Sequence, residues 1–416
     1  STLSTGCWTG GPDLRSRGGP HEFRCLLCDT TGMTVATSAG VGPAGRPLRV
    51  AQVIGQLNVG GAERHVVNLL NAMPTVERSL ILVGGRDRPG VTLRASLDPA
   101  IAVERLPIRR STLPGGIRRL VQLFRELRCD VVQSHMLWSN FCATVAARLV
   151  DVPVIITTEH GENRWKTTRH RWVERAIISR LADRRFCVSE AILRRRLESD
   201  GVPAERLLLV PNGTGVPAKP VAAVERATLT VGTVGRIVPE KDHDNLIAAV
   251  RQLQERGCSL RVVVVGDGPE LGAVKASVER AGLAGVFAFP GMVADVERWY
   301  REFDVFVLSS RQEGQPVALL EAMAIGLPCV ATDVGAIAST LESGREGTVV
   351  EPGSPTALAE GLLRYLESLP LRAEHGRAAR ERVRREFSIE AVAARHLAEY
   401  RGILASKRPS MEVAGS

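Results

Sequence analysis

The chain has 416 residues, of which 44% are hydrophobic, 24% charged and 4% aromatic, with a net charge of +9. That balance excludes a disordered chain, a collagen and a coiled-coil rod, and the length favours two domains. The scarcity of aromatic residues argues against a stacking platform for nucleic acid, so no nucleic acid partner is expected, and the positive charge points to a nucleotide, a phosphorylated lipid or an acidic membrane face.

Residues 1–47 are rich in Gly, Pro, Ser and Thr and show no helical or strand period, so an irregular leader is expected. Cys25 and Cys28, with Cys7 and His21 nearby, make one ligand pair where a zinc site needs two, so no metal is expected. Nothing at the start reads as a secretory signal, and no apolar run reaches the ~18–20 residues of a spanning helix. The remaining cysteines scatter through apolar stretches, the pattern of reduced, buried thiols in a cytoplasmic protein.

From Leu48 the pattern becomes regular. Strand-like runs are expected at 48–54, 79–83, 102–106, 131–133, 154–157, 185–188 and 207–210, with helices such as 62–73, 138–150 and 169–181 between them. Pro211-Asn212-Gly213-Thr214-Gly215-Val216-Pro217 is a turn cluster and the expected interdomain linker. The alternation restarts with strands at 230–234, 260–265, 286–289, 305–308, 328–331 and 348–350. Helices are expected at 243–256, 269–281, 317–325, 355–367, 371–386 and 389–404. Apolar strands alternating with helices build parallel sheets covered on both faces. The expected architecture is α/β: a first Rossmann-like domain over 48–213, a second over 214–388, and a deep cleft between their doubly wound sheets. The helix 389–404 is expected to pack back on the first domain, and 405–416 to be a loose tail.

Three segments carry candidate chemistry. Between Asp304 and Pro328, a strand, a turn with Glu313-Gly314-Gln315-Pro316 and a helix from Val317 follow one another. The first N–H groups of that helix, on Val317, Ala318 and Leu319, suit a phosphate. Glu313 and Glu321 suit the hydroxyls of a ribose or hexose. In the second segment, a strand delivers Arg236, and Lys241 follows in the loop, a pair able to clamp a diphosphate. Only five of the 54 basic residues are lysine, which makes Lys241 the more telling of the two. The third is Gly60-Gly61 after the first strand, where the backbone can approach a ligand at a helix start. No P-loop pattern occurs.

Arg236 with Lys241, the turn Gly266-Asp267-Gly268-Pro269-Glu270, and Glu313 and Glu321 with seven residues between them together resemble the retaining glycosyltransferases of family 4, with the GT-B fold. Gly60-Gly61-Ala62-Glu63 and Val210-Pro211-Asn212-Gly213 are similar to that family's glycine loop and linker, and the resemblance spans 48–404. It implies that Arg236 and Lys241 hold the donor diphosphate, Glu321 the ribose, and Glu313 the transferred sugar. The backbone from Gly314 to Leu319 would meet the phosphates, and Gly268, Met292 and Val293 would line the base pocket. His135 matches the family's active-site histidine. Two departures stand out: the aspartate usual after the linker Asn-Gly is absent, and Gln315-Pro316 replaces a turn that is often Phe-Gly.

The resemblance further implies metal-independent transfer, without a cofactor, from a nucleotide-diphosphate sugar to a glycan or lipid-linked acceptor in cell-envelope or exopolysaccharide synthesis. Retention is expected by same-face attack, with the leaving phosphate helping to take the acceptor proton. His160 and Glu162 are the acceptor-side candidates. The arginine-rich first half reads either as solvated helix faces or as a surface for an anionic membrane, which would make the protein peripheral on the inner face of the plasma membrane. Two other activities fit the same scaffold: a sugar-nucleotide epimerase, and a non-catalytic nucleotide-sugar-binding module.

Overall fold

The computed structural model describes residues 46–87, 92–161, 167–200, 202–293 and 295–407. The leader to residue 45 with its cysteine pair, Glu162, and the tail from 408 lie outside the described residues.

The β-branched runs become two all-parallel sheets. The first has seven strands: β1 (Arg49–Ile54), β2 (Glu77–Leu82), β3 (Ala102–Arg105), β4 (Val131–His135), β5 (Val154–Glu159), β6 (Arg184–Cys187) and β7 (Leu207–Leu209), in the order β3-β2-β1-β4-β5-β6-β7. The second has six: β8 (Leu229–Val234), β9 (Leu260–Val265), β10 (Phe287–Gly291), β11 (Val305–Leu308), β12 (Cys329–Thr332) and β13 (Gly347–Val350), in the order β10-β9-β8-β11-β12-β13. Val53, Val132 and Ile155 face one side of the first sheet, Val50, Val131 and Ile156 the other, and both sides are buried. That double burial is why these strands read as continuous apolar runs rather than alternating ones. In each sheet the strand order reverses next to the first strand, between β1 and β4 and between β8 and β11. A crevice opens at such a switch point, beyond the carboxyl ends of the strands.

The chain crosses between the sheets twice, side by side. At the first crossing the Thr214 N–H donates to the Phe387 carbonyl at 3.0 Å. At the second the Ile389 N–H donates to the Thr214 carbonyl at 2.9 Å. The last helix, Ile389–Lys407, then covers the first sheet. Its Ile389, Val392, Leu397, Tyr400 and Ile403 share one core with Leu48, Val131, Val154 and Phe186.

Two expected helices are interrupted. The stretch expected at 169–181 widens into a π-turn over Glu174–Ile178, where the buried Glu174 meets Arg196 at 3.4 Å. The helix expected at 371–386 runs Leu369–Arg382, capped by the Ser368 hydroxyl and started by Pro370, and ends in a second π-turn, Val383–Phe387. A wider turn changes the direction of a helix end, and here it delivers Ser388 to the crossing.

The helix Leu113–Leu127 turns Leu120 and Phe124 into the first domain's core, and Ile117, Val121 and Leu127 pack against the same cluster. Its apolar stripe is therefore used internally, while Arg118, Arg119 and Arg125 are exposed.

Because the last helix completes the first domain's core, truncating Leu397 should cost about 2–5 kcal/mol, the usual range for a buried Leu→Ala. Urea unfolding followed by circular dichroism should place Leu397→Ala well below the parent. An unchanged midpoint would show that the helix is dispensable to that core.

Candidate functional site

The two switch points face each other across a cleft of about 500 Å³, within the roughly 300–1,000 Å³ usual for small-molecule sites. The first domain contributes Gly60, Gly61, Ala62 and Arg64 after β1, Met136 after β4, and His160 and Gly161 after β5. The second contributes Arg236 and Lys241 after β8, Gly266 and Asp267 after β9, Met292 and Val293 after β10, and residues 312–318 with Glu321 after β11.

Two helix starts meet here. Gly60 is the N-cap of the helix Gly61–Asn71, and Pro316 that of the helix Val317–Ile325. A Cβ built on Gly61 would lie 3.7 Å from Val317 Cγ2, so the starts abut across the domains. Their free N–H groups and aligned dipoles make this part of the cleft favourable for an anion. Val317 and Ala318 line it. Leu319 stands off the wall: it is fully buried and its N–H donates to the Pro316 carbonyl at 3.1 Å. Gly268 also stands off the wall. Its N–H is taken by Asp267 Oδ1 at 2.7 Å, and a Cβ there would sit 2.1 Å from the Ile237 carbonyl. Gly266 and Asp267 line the cleft instead.

Lys241 Nζ reaches Glu313 Oε1 at 2.5 Å, and the Ser310 hydroxyl donates to the same oxygen at 2.7 Å. Arg236 is exposed, and its charge is felt by Glu63, whose carboxyl is nevertheless raised because burial outweighs that attraction. Glu321 lies one turn inside its helix. Its Oε2 accepts from the Tyr300 hydroxyl at 2.9 Å, and its Oε1 lies 3.3 Å from Arg64 Nε of the other domain. Burial raises the Glu321 carboxyl, with Arg64 and the Tyr300 hydroxyl pulling it back down.

Gly314 permits a close approach of the domains, since a Cβ there would lie 2.2 Å from the His160 carbonyl oxygen. Beside it, Gln315 ties down the linker. Its Oε1 accepts from the Asn212 N–H at 2.5 Å, and its own carbonyl accepts from Asn212 Nδ2 at 3.0 Å. The Gln-Pro departure is therefore an interdomain fastening.

Behind the first domain's wall lies a group of histidines. His135 Nδ1 is 2.9 Å from His160 Nε2, and His135 Nε2 is 2.7 Å from Gln52 Oε1. Gln52 Nε2 in turn donates to Gln133 Oε1 and the Tyr400 hydroxyl, both at 3.3 Å, and Tyr400 also donates to Gln133. His65 stacks at an angle between His160 and His396. Burial drives all four imidazoles down, His160 and His396 to about 4. His135 is fully buried and stands one ring behind the cleft, whereas His160 lines it. The residue between β4 and the next helix, Met136, holds φ 71° and is 40% exposed toward the cleft.

The structure thus brings Gly60, Gly61, Arg236, Lys241, Met292, Val293, Glu313, Gly314, Val317, Ala318, Glu321 and His160 to one wall or the other. Sequence reasoning missed Arg64, Asn212 and Tyr300. Arg64 follows Gly61 by three positions, which places it on the face of the helix start, a readable signal. Tyr300 carried none. Among the described residues, no group of three or more His, Cys, Asp or Glu is placed to hold a metal ion. No helix among them is long and apolar enough to cross a membrane.

Residues 59–215 match the family described as Glycosyltransferase Family 4, and residues 228–368 match Glycosyl transferases group 1. EpsF of Bacillus subtilis (strain 168), named as a glycosyltransferase, is 28% identical over 351 residues, covering 80% of this chain and 90% of its own. WcaL of Escherichia coli (strain K12), named for colanic acid biosynthesis as a glycosyltransferase, is 30% identical over 290 residues, covering 65% and 70%. The crystal structure of Anabaena HepE with UDP and glucose superposes with a TM-score of 0.73 at 19% identity, covering 85% of this chain and 99% of that one.

The neutral histidines make stability depend on pH. An unfolded histidine takes a proton below about 6.5, while folded His396 resists until about 4. Between those values the unfolded chain binds more protons, so stability falls as pH drops through that window, by about 1.4 kcal/mol per pH unit for each such group. His396 packs edge-on against Phe186 away from the cleft. His396→Phe should flatten the pH dependence of the urea midpoint between about 6.5 and 4.5. Parallel curves for variant and parent would contradict this.

Proposed function

We propose, because the chain belongs to glycosyltransferase family 4, that it moves a hexosyl group from a nucleoside-diphosphate sugar to a glycan or lipid-linked acceptor, with retention at the anomeric carbon. One observation carries the reading: Arg236, Lys241 and two facing helix starts converge on one cleft. A diphosphate there meets two cations and a set of N–H donors. Lysine has three N–H donors, so Lys241 can keep Glu313 and still take a phosphate oxygen. Glu313 Oε2 is left for a hydroxyl of the transferred sugar, Glu321 for the ribose, and Met292 and Val293 for one face of the base.

In the reaction, the bond from the anomeric carbon to the phosphate oxygen breaks while the acceptor oxygen bonds to that carbon from the same face. The acceptor proton passes to the departing phosphate oxygen. Negative charge grows on the diphosphate, and Arg236, Lys241 and the helix starts offset it, so we infer that no metal is needed. His160 presents its ring at the sugar end, and His135 supports it from behind.

The name of WcaL places that relative in colanic acid biosynthesis, and this supports a role for the present chain in envelope or exopolysaccharide assembly. The exposed Arg118, Arg119 and Arg125 support docking of a cytoplasmic, peripheral protein on anionic lipid.

A melting-temperature screen with UDP-, GDP- and ADP-sugars should identify the donor as the compound that stabilises the fold. With it, Lys241→Ala should lower kcat about 10²–10³-fold, the scale for loss of one charge-stabilising donor. Product NMR should show the donor's anomeric configuration, and a chelator should leave the rate unchanged. Full activity in Lys241→Ala, or inversion in the product, would refute the reading.

A further inference from the structure

We propose that Arg64 is a positioning residue for nucleoside recognition: from the first domain it fixes the Glu321 carboxylate so that one lone pair on each oxygen is left for the two ribose hydroxyls. This rests on the reading of Glu321 as the ribose acid.

A carboxylate offers about four acceptor sites, two on each oxygen. In this cleft Oε1 faces Arg64 Nε at 3.3 Å and Oε2 accepts from Tyr300 at 2.9 Å. At least one site per oxygen remains, and the vicinal 2′- and 3′-hydroxyls of a ribose supply two donors at matching separation. To accept from both, Glu321 has to be ionised. It is largely buried, with a side chain 15% exposed, and burial alone favours the neutral acid. The cation that offsets this is Arg64. Lys241 is engaged by Glu313, and Tyr300 brings a hydrogen bond without charge.

The geometry also explains why the cation comes from the other domain. Arg64 sits in the first turn of the helix whose Gly61 abuts Val317, four residues before Glu321. The guanidinium can reach the carboxylate only while the two helix starts are in contact. Ribose recognition by a residue of the second domain is thereby complete only when the first domain closes on it. Arg64 acts through Glu321, without needing to touch the nucleoside.

The test compares each of UDP, GDP and ADP with its 2′,3′-dideoxy counterpart by isothermal titration. The parent should prefer the ribonucleotide it binds by about tenfold or more, the equivalent of one net hydrogen bond to a charged group. In Arg64→Met, which keeps the packing of the stem, that ratio should fall to within about twofold. Arg64→Lys, which returns a charge without the guanidinium fork, should recover part of it. Melting curves of all three proteins establish that they fold, and if the Met variant does not, a partial loss of the ratio in Arg64→Lys carries the result. A parent that binds a diphosphate but ignores the ribose hydroxyls would overturn the assignment of Glu321, and a parent that binds none would overturn the donor reading. A parent that discriminates, with Arg64→Met discriminating equally, would overturn the role of Arg64 alone.

Discussion

The cleft depends on how closely the carboxyl ends of two separate sheets are held together, and a side-chain amide does much of the holding. Gln315 grips the linker at Asn212 through two hydrogen bonds, while Gly314 rides against the His160 carbonyl where no other residue fits. A buried amide pair resists separation because each polar atom would be left without a partner until water entered. The second crossing, at Thr214 and Ser388, pins the chain again a few residues away. Together these contacts bring the helix starts at Gly61 and Val317 face to face.

That apposition organises the charges. Two acids and two cations of the cleft are already matched, Lys241 with Glu313 and Arg64 with Glu321. Each pair restrains a carboxylate, and at Glu321 the cation also pulls down a carboxyl that burial raises. An anion entering the cleft would therefore meet side chains held in place and N–H groups set by helix geometry, with little reorganisation left to do. The histidines behind the wall add no charge, since burial keeps them neutral. Electrostatically the site combines the cations Arg64, Arg236 and Lys241, the acids Glu313 and Glu321, and two helix dipoles.

Much of this was visible in the residues. Val131-Val132 and Val262-Val263-Val264-Val265 could only be strands covered on both faces, and each Gly- or Pro-marked turn after such a strand points at a carboxyl edge. Glu321 stood out because it interrupts an apolar helix. Leu319 and Gly268 stand off the cleft wall, because proximity in sequence to a turn says nothing of which N–H the turn itself consumes. His135 stands one layer behind the cleft wall. Its position at the end of β4 was right, but the ring that covers it, His160, comes from β5, and only the pairing of those strands sets one imidazole in front of the other. The apolar stripe of 113–127 had two readings in sequence, and packing against the first core settled its inner face.

Periodicity and turn chemistry by themselves determined that the chain makes two parallel α/β layers, because burial on both faces imposes a continuous apolar strand and each reversal needs a glycine, a proline or a cap. They also marked Arg236, Lys241, Glu313 and Glu321, polar groups at strand ends where the core pattern has no use for them. Tertiary structure alone decided which partner each of these would have. Arg64 and Glu321 are 257 positions apart, and an ion pair formed across a domain boundary leaves no periodic trace in either segment. It exists only because two helices, each folded for local reasons, are brought end to end by a linker and a returning helix.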